Sequence, residues 1–265
     1  MNVRAAIAYA GRGIARPRYH ANDTSRDLLD IAPVVMDITD ARGGSSTLDR
    51  EGFTLLAHVS AVTEFTDRAA VEAVHRPEII ELLTGLTGAD LVVVNSPGVL
   101  RFSEKSTRSG ALDNSRPARF AHVDISDATA EAFAQRAAPA GRKLARFAHL
   151  NVWRAISAPP QDVPLTVCDA GSIKAQDLIA ADAVFDTPGR AEWSFEGLVF
   201  AHHPTHRWHW FPDMTRDEAL VFKTHDSDRG RAHCVPHVAF DNWSCGADAP
   251  PRASIEMRGI ALWFA

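Results

Sequence analysis

Ala145-Arg146-Phe147-Ala148-His149-Leu150-Asn151-Val152-Trp153 reads as a β-strand that ends shortly before the proline-rich turn at Pro159-Pro160. The same kind of text recurs downstream at 165–168, 198–201, 207–211, 219–224 and 254–264, separated by Pro, Gly and Asp turns. Many short strands in this arrangement build an antiparallel sandwich or barrel. Upstream, 33–38, 53–59 and 91–94 are also strand-like. By contrast, 67–86 and 128–137 are helical in pattern, with Asp67 a candidate N-cap and Pro77 expected to divide the first helix. The stretch 11–27, rich in Arg, Pro and small polar residues, predicts irregular backbone, and the polar segment 103–116 predicts a loop. The expected class is β-rich α+β, with helices flanking one sheet.

The chain has 265 residues, 46% hydrophobic and 23% charged, which excludes a disordered or fibrous protein. Its net charge of −5 carries no long run of one sign, so no nucleic-acid surface is expected. No apolar run has the ~18 residues of a membrane helix, and the short stretch 5–10 does not make a signal peptide. Three cysteines are too few for a disulfide scaffold, and a cytoplasmic location is expected.

Histidine stands out. Seven of the twelve, His202, His203, His206, His209, His225, His233 and His237, fall between positions 202 and 237, and histidine is the commonest metal ligand. The one ordered pattern begins earlier, at Arg119-Phe120-Ala121-His122-Val123-Asp124. On a strand, His122 and Asp124 project to one face. About 1.5 such His-x-acid triplets are expected by chance in this composition, so the rest of the pattern decides. His237 follows in Val235-Pro236-His237-Val238, and then Arg252-Ala253-Ser254 opens the last strand. Two imidazoles and one carboxylate on one face of a metal form the facial triad of non-haem Fe(II) oxygenases. A 2-oxo acid fills two of the remaining positions and dioxygen the third. Arg252 suits the far carboxylate of 2-oxoglutarate, because a guanidinium keeps its charge and binds at two points, and Ser254 would add a hydroxyl.

From about residue 36 onward the chain resembles the CmcJ/NvfI-like family, which includes a cephamycin-pathway hydroxylase subunit and fungal hydroxylase/desaturase proteins of the AsaB type. The stretches that carry the resemblance include Ala121-His122-Val123-Asp124, Asn151-Val152-Trp153-Arg154, His206-Arg207-Trp208, Phe211-Pro212-Asp213-Met214, Pro236-His237 and Arg252-Ala253-Ser254-Ile255-Glu256-Met257-Arg258. The resemblance implies Fe(II), with 2-oxoglutarate and dioxygen as co-substrates. It implies hydroxylation or desaturation of a secondary-metabolite-type small molecule by ferryl hydrogen abstraction. The implied fold is a double-stranded β-helix, jelly-roll or cupin-like, with flanking helices. One oxygenase domain is expected over 1–265, with an irregular lead-in at 1–30, a helical flank largely at 67–140 and the jelly-roll core largely at 90–264. The family tends to have tyrosine where His209 and His225 stand here, so neither is expected to be an inherited ligand.

The expected ligands are therefore His122, Asp124 and His237. Arg252 and Ser254 are expected at the co-substrate, with Arg154 as a second carboxylate binder and Arg258 as the alternative anchor on the Arg252 strand. Trp153, His206, Trp208 and Trp210 are expected in the substrate wall. Two other readings stay open: a cupin-like metal enzyme that does not use 2-oxoglutarate, and an accessory subunit beside a methyltransferase-type partner. A homo-oligomer is equally open. His233 and Cys234 do not predict zinc, because no second paired unit of ligands accompanies them.

Overall fold

The computed structural model describes residues 1–95 and 97–265. Its strands run β1 (Val3–Ala10), β2 (Arg18–His20), β3 (Ile31–Asp40), β4 (Phe53–Ala57), β5 (Leu91–Val93), β6 (Val99–Phe102), β7 (His122–Val123) and β8 (Leu144–Ala155). They continue as β9 (Leu165–Cys168), β10 (Leu178–Phe185), β11 (Trp193–Phe200), β12 (Trp208–Trp210), β13 (Glu218–Asp226), β14 (His237–Ala239) and β15 (Ala253–Phe264). The helices are α1 (Arg68–Ala70), which passes through a π-turn at Val71–His75 into α2 (Arg76–Thr87), and α3 (Asp127–Ala137).

Two sheets result. One has nine strands in the order β1-β3-β12-β9-β14-β7-β11-β10-β2, and the other runs β4-β13-β8-β15-β5, with β6 also on β15. The nine-stranded sheet curls until β1 meets the segment before β7, where Ala121 N–H donates to the Ala8 carbonyl. Its curl encloses an aromatic core of Tyr9, Phe200, Trp208, Trp210 and Phe240.

Strand periodicity sets the second sheet's two faces. On β8, Leu150 and Val152 pack with Ile79 and Leu83 of α2, while Trp153 and Ala155 pack with Phe53 and Val167 between the sheets. Each fully buried leucine or isoleucine of this kind contributes about 1.5–3 kcal/mol. Asp67 caps the helical stretch, accepting from Ala69 and Ala70 N–H as its sequence predicts. Pro77 does not divide it. The chain widens into a π-turn, with Arg76 N–H donating to the Val71 carbonyl, which makes room for the proline ring and its missing donor.

The expected irregular lead-in at 1–30 is corrected: it contains β1 and β2. Ala5, Ile7 and Tyr9 alternate inward on β1, but small alanines leave the apolar period faint.

Candidate metal centre

His122 and His237 are direct cross-strand partners where β7 meets β14. Asp124 lies just past the end of β7, and the three side chains form a buried cluster whose ligand atoms lie within 4.8 Å of one another. Asp124 Oδ1 sits 3.4 Å from His122 Nε2 and 3.6 Å from His237 Nε2. Each imidazole donates its Nδ1–H to a carbonyl two residues earlier, His122 to Phe120 at 2.9 Å and His237 to Val235 at 3.2 Å. That fixes the tautomer and leaves both Nε2 lone pairs facing the centre. Burial, and then the neighbouring His237, pushes the His122 pKa down, so its imidazole stays neutral and able to coordinate.

The second carboxylate oxygen is held from β8 and β15. Asn151 Nδ2 donates to Asp124 Oδ2 at 2.7 Å, and Arg258 Nη2 lies 3.4 Å from it. Asn151 and Arg258 are themselves cross-strand partners. Burial alone would raise the Asp124 carboxyl, but Arg258 and the two imidazoles outweigh it and hold the group well below the usual carboxylate range. Gly197 on β11 permits the close packing around this residue. A Cβ there would stand 2.6 Å from the Tyr19 hydroxyl and 2.9 Å from the Asp124 carbonyl oxygen.

A cavity of about 20 Å³ is lined by these three side chains together with Trp153, Arg252 and Arg258. Arg252 is 1% exposed. Its Nη1 donates to Ser254 Oγ at 2.8 Å, while Nε and Nη2 are buried with no hydrogen-bond partner among the described residues. Burial lowers its pKa to about 10. Buried guanidinium nitrogens left without acceptors are costly, which is the signature of a site that completes itself with an anion. Arg258 is already engaged, at 2.9 Å from Glu256 as well as close to Asp124, and those two carboxylates raise its pKa against its burial. The small cavity has room for an ion or a water. A dicarboxylate reaching Arg252 would draw on the adjoining cavity of about 620 Å³, which shares His122, Asp124, Arg101 and Arg258.

Several expected site residues lie elsewhere. Arg154 is corrected: Trp153 faces the sheets' interior, so Arg154 faces the helices, where its guanidinium donates to the His58 and Arg216 carbonyls and meets His58 Nδ1. His206, Trp208 and Trp210 are corrected as well. Trp208 Nε1 donates to the Tyr9 hydroxyl, His206 bridges Tyr9 and Asp177, and Trp210 Nε1 donates to the Met1 carbonyl, all in the curl of the nine-stranded sheet. Tyr19, Arg101, Asn151 and Glu256 belong to the site or its walls without having been assigned a role from sequence. For Glu256 the signal was present, since it continues the polar alternation Arg252, Ser254, Arg258 on one strand face.

The family described as "Oxidoreductase/YMDC permease-like domain" matches residues 13–262; among the described residues no helix is long and apolar enough to cross a membrane. The chain is 30% identical to "Alpha-ketoglutarate-dependent dioxygenase phiK" of Fungal sp. (strain ATCC 74256), over 90% of this chain and 86% of that protein. It is 28% identical to "Hydroxylase/desaturase efuI" of Hormonema carpetanum, over 96% and 91%. The solved structure of the "iron and alpha-ketoglutarate-dependent endoperoxidase NvfI" superposes with a TM-score of 0.83 at 23% identity, covering 100% of this chain and 99% of that one. That likeness gives the fold, the jelly-roll expected from sequence. The chain belongs to the CmcJ/NvfI-like, AsaB-type family of Fe(II)/2-oxoglutarate-dependent oxygenases.

Proposed function

We propose that His122, Asp124 and His237 hold ferrous iron and that Arg252, steadied by Ser254, anchors the far carboxylate of 2-oxoglutarate. The enzyme is a non-haem iron dioxygenase acting on a small molecule; in this reading it hydroxylates or desaturates an apolar, secondary-metabolite-type substrate. The observation that carries the reading is Arg252, which lines the same cavity as His122, Asp124 and His237 and has two buried nitrogens without a hydrogen-bond partner among the described residues. Iron with 2-oxoglutarate and dioxygen supplies the oxidising power for breaking a C–H bond.

The chain's own residues do the rest. The Phe120 and Val235 carbonyls hold each ring's proton on Nδ1 and aim both Nε2 atoms at the centre, and Asn151 and Arg258 occupy Asp124 Oδ2 so that Oδ1 is left toward the two imidazoles. Trp153 walls the co-substrate end. A second cavity of about 460 Å³, walled by Leu100, Ile125, Phe133, Phe185 and Phe195, also reaches Asp124 and Arg258 and offers an apolar seat for the substrate.

A single oxygenase domain across 1–265 is supported by β1, which joins the sheet that carries the ligand strands. Free cysteines at 168, 234 and 245 support a reducing cytoplasm. A homo-oligomer or a methyltransferase-type partner is compatible with the same reading. An accessory subunit would release no succinate by itself, and a metal enzyme without 2-oxoglutarate would leave Arg252 idle. Succinate release by the purified chain with Fe(II) separates these. Wild type is expected to turn over, and Arg252→Ala to raise the KM for 2-oxoglutarate about 10–100-fold, the loss of a charged hydrogen bond. Equal decarboxylation by the variant at low co-substrate would overturn the anchor.

A further inference from the structure

Asp127, His225 and His233 form another buried-to-surface cluster, with ligand atoms also within 4.8 Å of one another. Asp127 opens α3, His225 lies on β13, and His233 lies in the segment between β13 and β14. Asp127 Oδ1 is 2.9 Å from His233 Nε2 and 3.5 Å from His225 Nε2. The cluster repeats the residue types of the first centre, with a carbonyl at Nδ1 for His233 but none for His225, whose Nδ1 is buried without a partner among the described residues. His233 Nδ1 lies 2.9 Å from the Asp226 carbonyl, which can only accept, so the ring proton sits on Nδ1 and a neutral His233 turns its Nε2 lone pair toward the carboxylate. Two electron pairs facing each other at 2.9 Å require a cation between them, either a proton or a metal ion. Burial lowers the His225 pKa to about 3, keeping that imidazole neutral. Arg229 holds Asp127 Oδ2 and leaves Oδ1 for the centre. A cavity of about 540 Å³ borders Asp127, His233 and Arg229 and has room for water on an ion's open side.

We propose that Asp127, His225 and His233 bind a second divalent ion, zinc, with water as the fourth ligand. Two imidazoles, one carboxylate and a water suit tetrahedral zinc, whose donor atoms stand ~3.3 Å apart, so on binding the Asp127–His233 pair at 2.9 Å opens slightly and the Asp127–His225 pair at 3.5 Å closes slightly. The position gives the ion a task. Asp127 follows Asp124 by three residues, and His233 precedes His237 by four. An ion here ties the start of α3 to the segment that delivers His237, and so braces both arms of the iron centre.

Zinc per chain, measured by mass spectrometry after gel filtration, tests the site. Wild type is expected to carry one more zinc than either His233→Gln or Asp127→Asn, both changes at partly exposed side chains; equal loading overturns the proposal. A second measurement does not depend on how the variants fold. Wild type first loaded anaerobically with one equivalent of Fe(II) is expected to take up one further Co²⁺ with the intense visible spectrum of four-coordinate cobalt. Absence of that uptake overturns the site whatever the variants do.

Discussion

Arg154 and Arg252 are each 1% exposed, and they lie on opposite faces of the paired strands β8 and β15. On the helix-facing side, both terminal nitrogens of Arg154 are bonded to protein, at the His58 and Arg216 carbonyls and at His58 Nδ1, and only its Nε is buried without a partner. On the inner side, Arg252 has Ser254 Oγ and two nitrogens with nothing to bond among the described residues. The same residue type at the same burial therefore does two jobs. Arg154 ties a loop to the sheet, whereas Arg252, in the proposed reading, keeps bonding capacity in reserve for the co-substrate. Neither burial nor an unpaired Nε separates the two; the difference is that Arg252 also leaves a terminal nitrogen unpaired and lines the cavity that His122, Asp124 and His237 line.

The largest expected effect breaks this comparison on stability. Arg154→Leu strands two carbonyls that lose a charged donor, and roughly 3–5 kcal/mol should be lost. Arg252→Leu removes an incompletely satisfied buried charge and should be neutral or stabilising without co-substrate. Urea unfolding of the two variants checks this. If both lose the same stability, Arg252 is a structural residue like its counterpart. Addition of 2-oxoglutarate should also raise the urea midpoint of wild type but not that of Arg252→Leu.

The inner face carries a second expected effect, of about 3 kcal/mol, through His149. Burial lowers its pKa from 6.5 to about 4, opposed only by its bond to the Ala130 carbonyl at 2.9 Å. The unfolded chain takes up a proton there as pH falls below 6.5, while the folded chain declines it until about 4. Stability from this group is complete above pH 6.5 and is lost progressively down to pH 4, at about 1.4 kcal/mol per pH unit. His149→Gln keeps an amide donor but cannot titrate. Its urea midpoint should fall less steeply between pH 6.5 and 4.5 than that of wild type, and parallel curves would show that His149 is not the source.

That His122, Asp124 and His237 come together near Arg252 was legible because the proposed chemistry admits few residue types: a His-x-Asp, a distant His and a following Arg-x-Ser already limit the reading. Face assignment was harder. Alternation along 207–211 establishes two faces, but nothing in it says that Trp208 and Trp210 turn into the sheet's own curl while His209 turns toward Phe53. Parity would have placed Arg154 correctly, since it adjoins Trp153 on a strand. β2, at three residues, is too short for any period, and that hid Tyr19. The Asp127, His225 and His233 cluster joins positions about a hundred residues apart, which only the tertiary fold brings together.

The smallest expected effect sharpens the comparison at its centre. Asn151 and Val152 are neighbours on β8, one facing Asp124 and the other facing the α2 core. Asn151→Ala removes the 2.7 Å bond that fixes Asp124 Oδ2, leaving Arg258 at 3.4 Å as its remaining tether. The carboxylate can then rotate, and iron affinity should fall about 10–100-fold, the usual cost of losing a partner that orients a metal ligand. Turnover at saturating Fe(II) should stay near wild type, because the ligands themselves remain. Val152→Ala, one residue away, should lower the unfolding free energy from urea titration by about 1–3 kcal/mol and leave iron affinity unchanged. If the two variants bind iron equally well, the polar ladder on the inner face serves packing alone, and the functional difference between the faces reduces to Arg252.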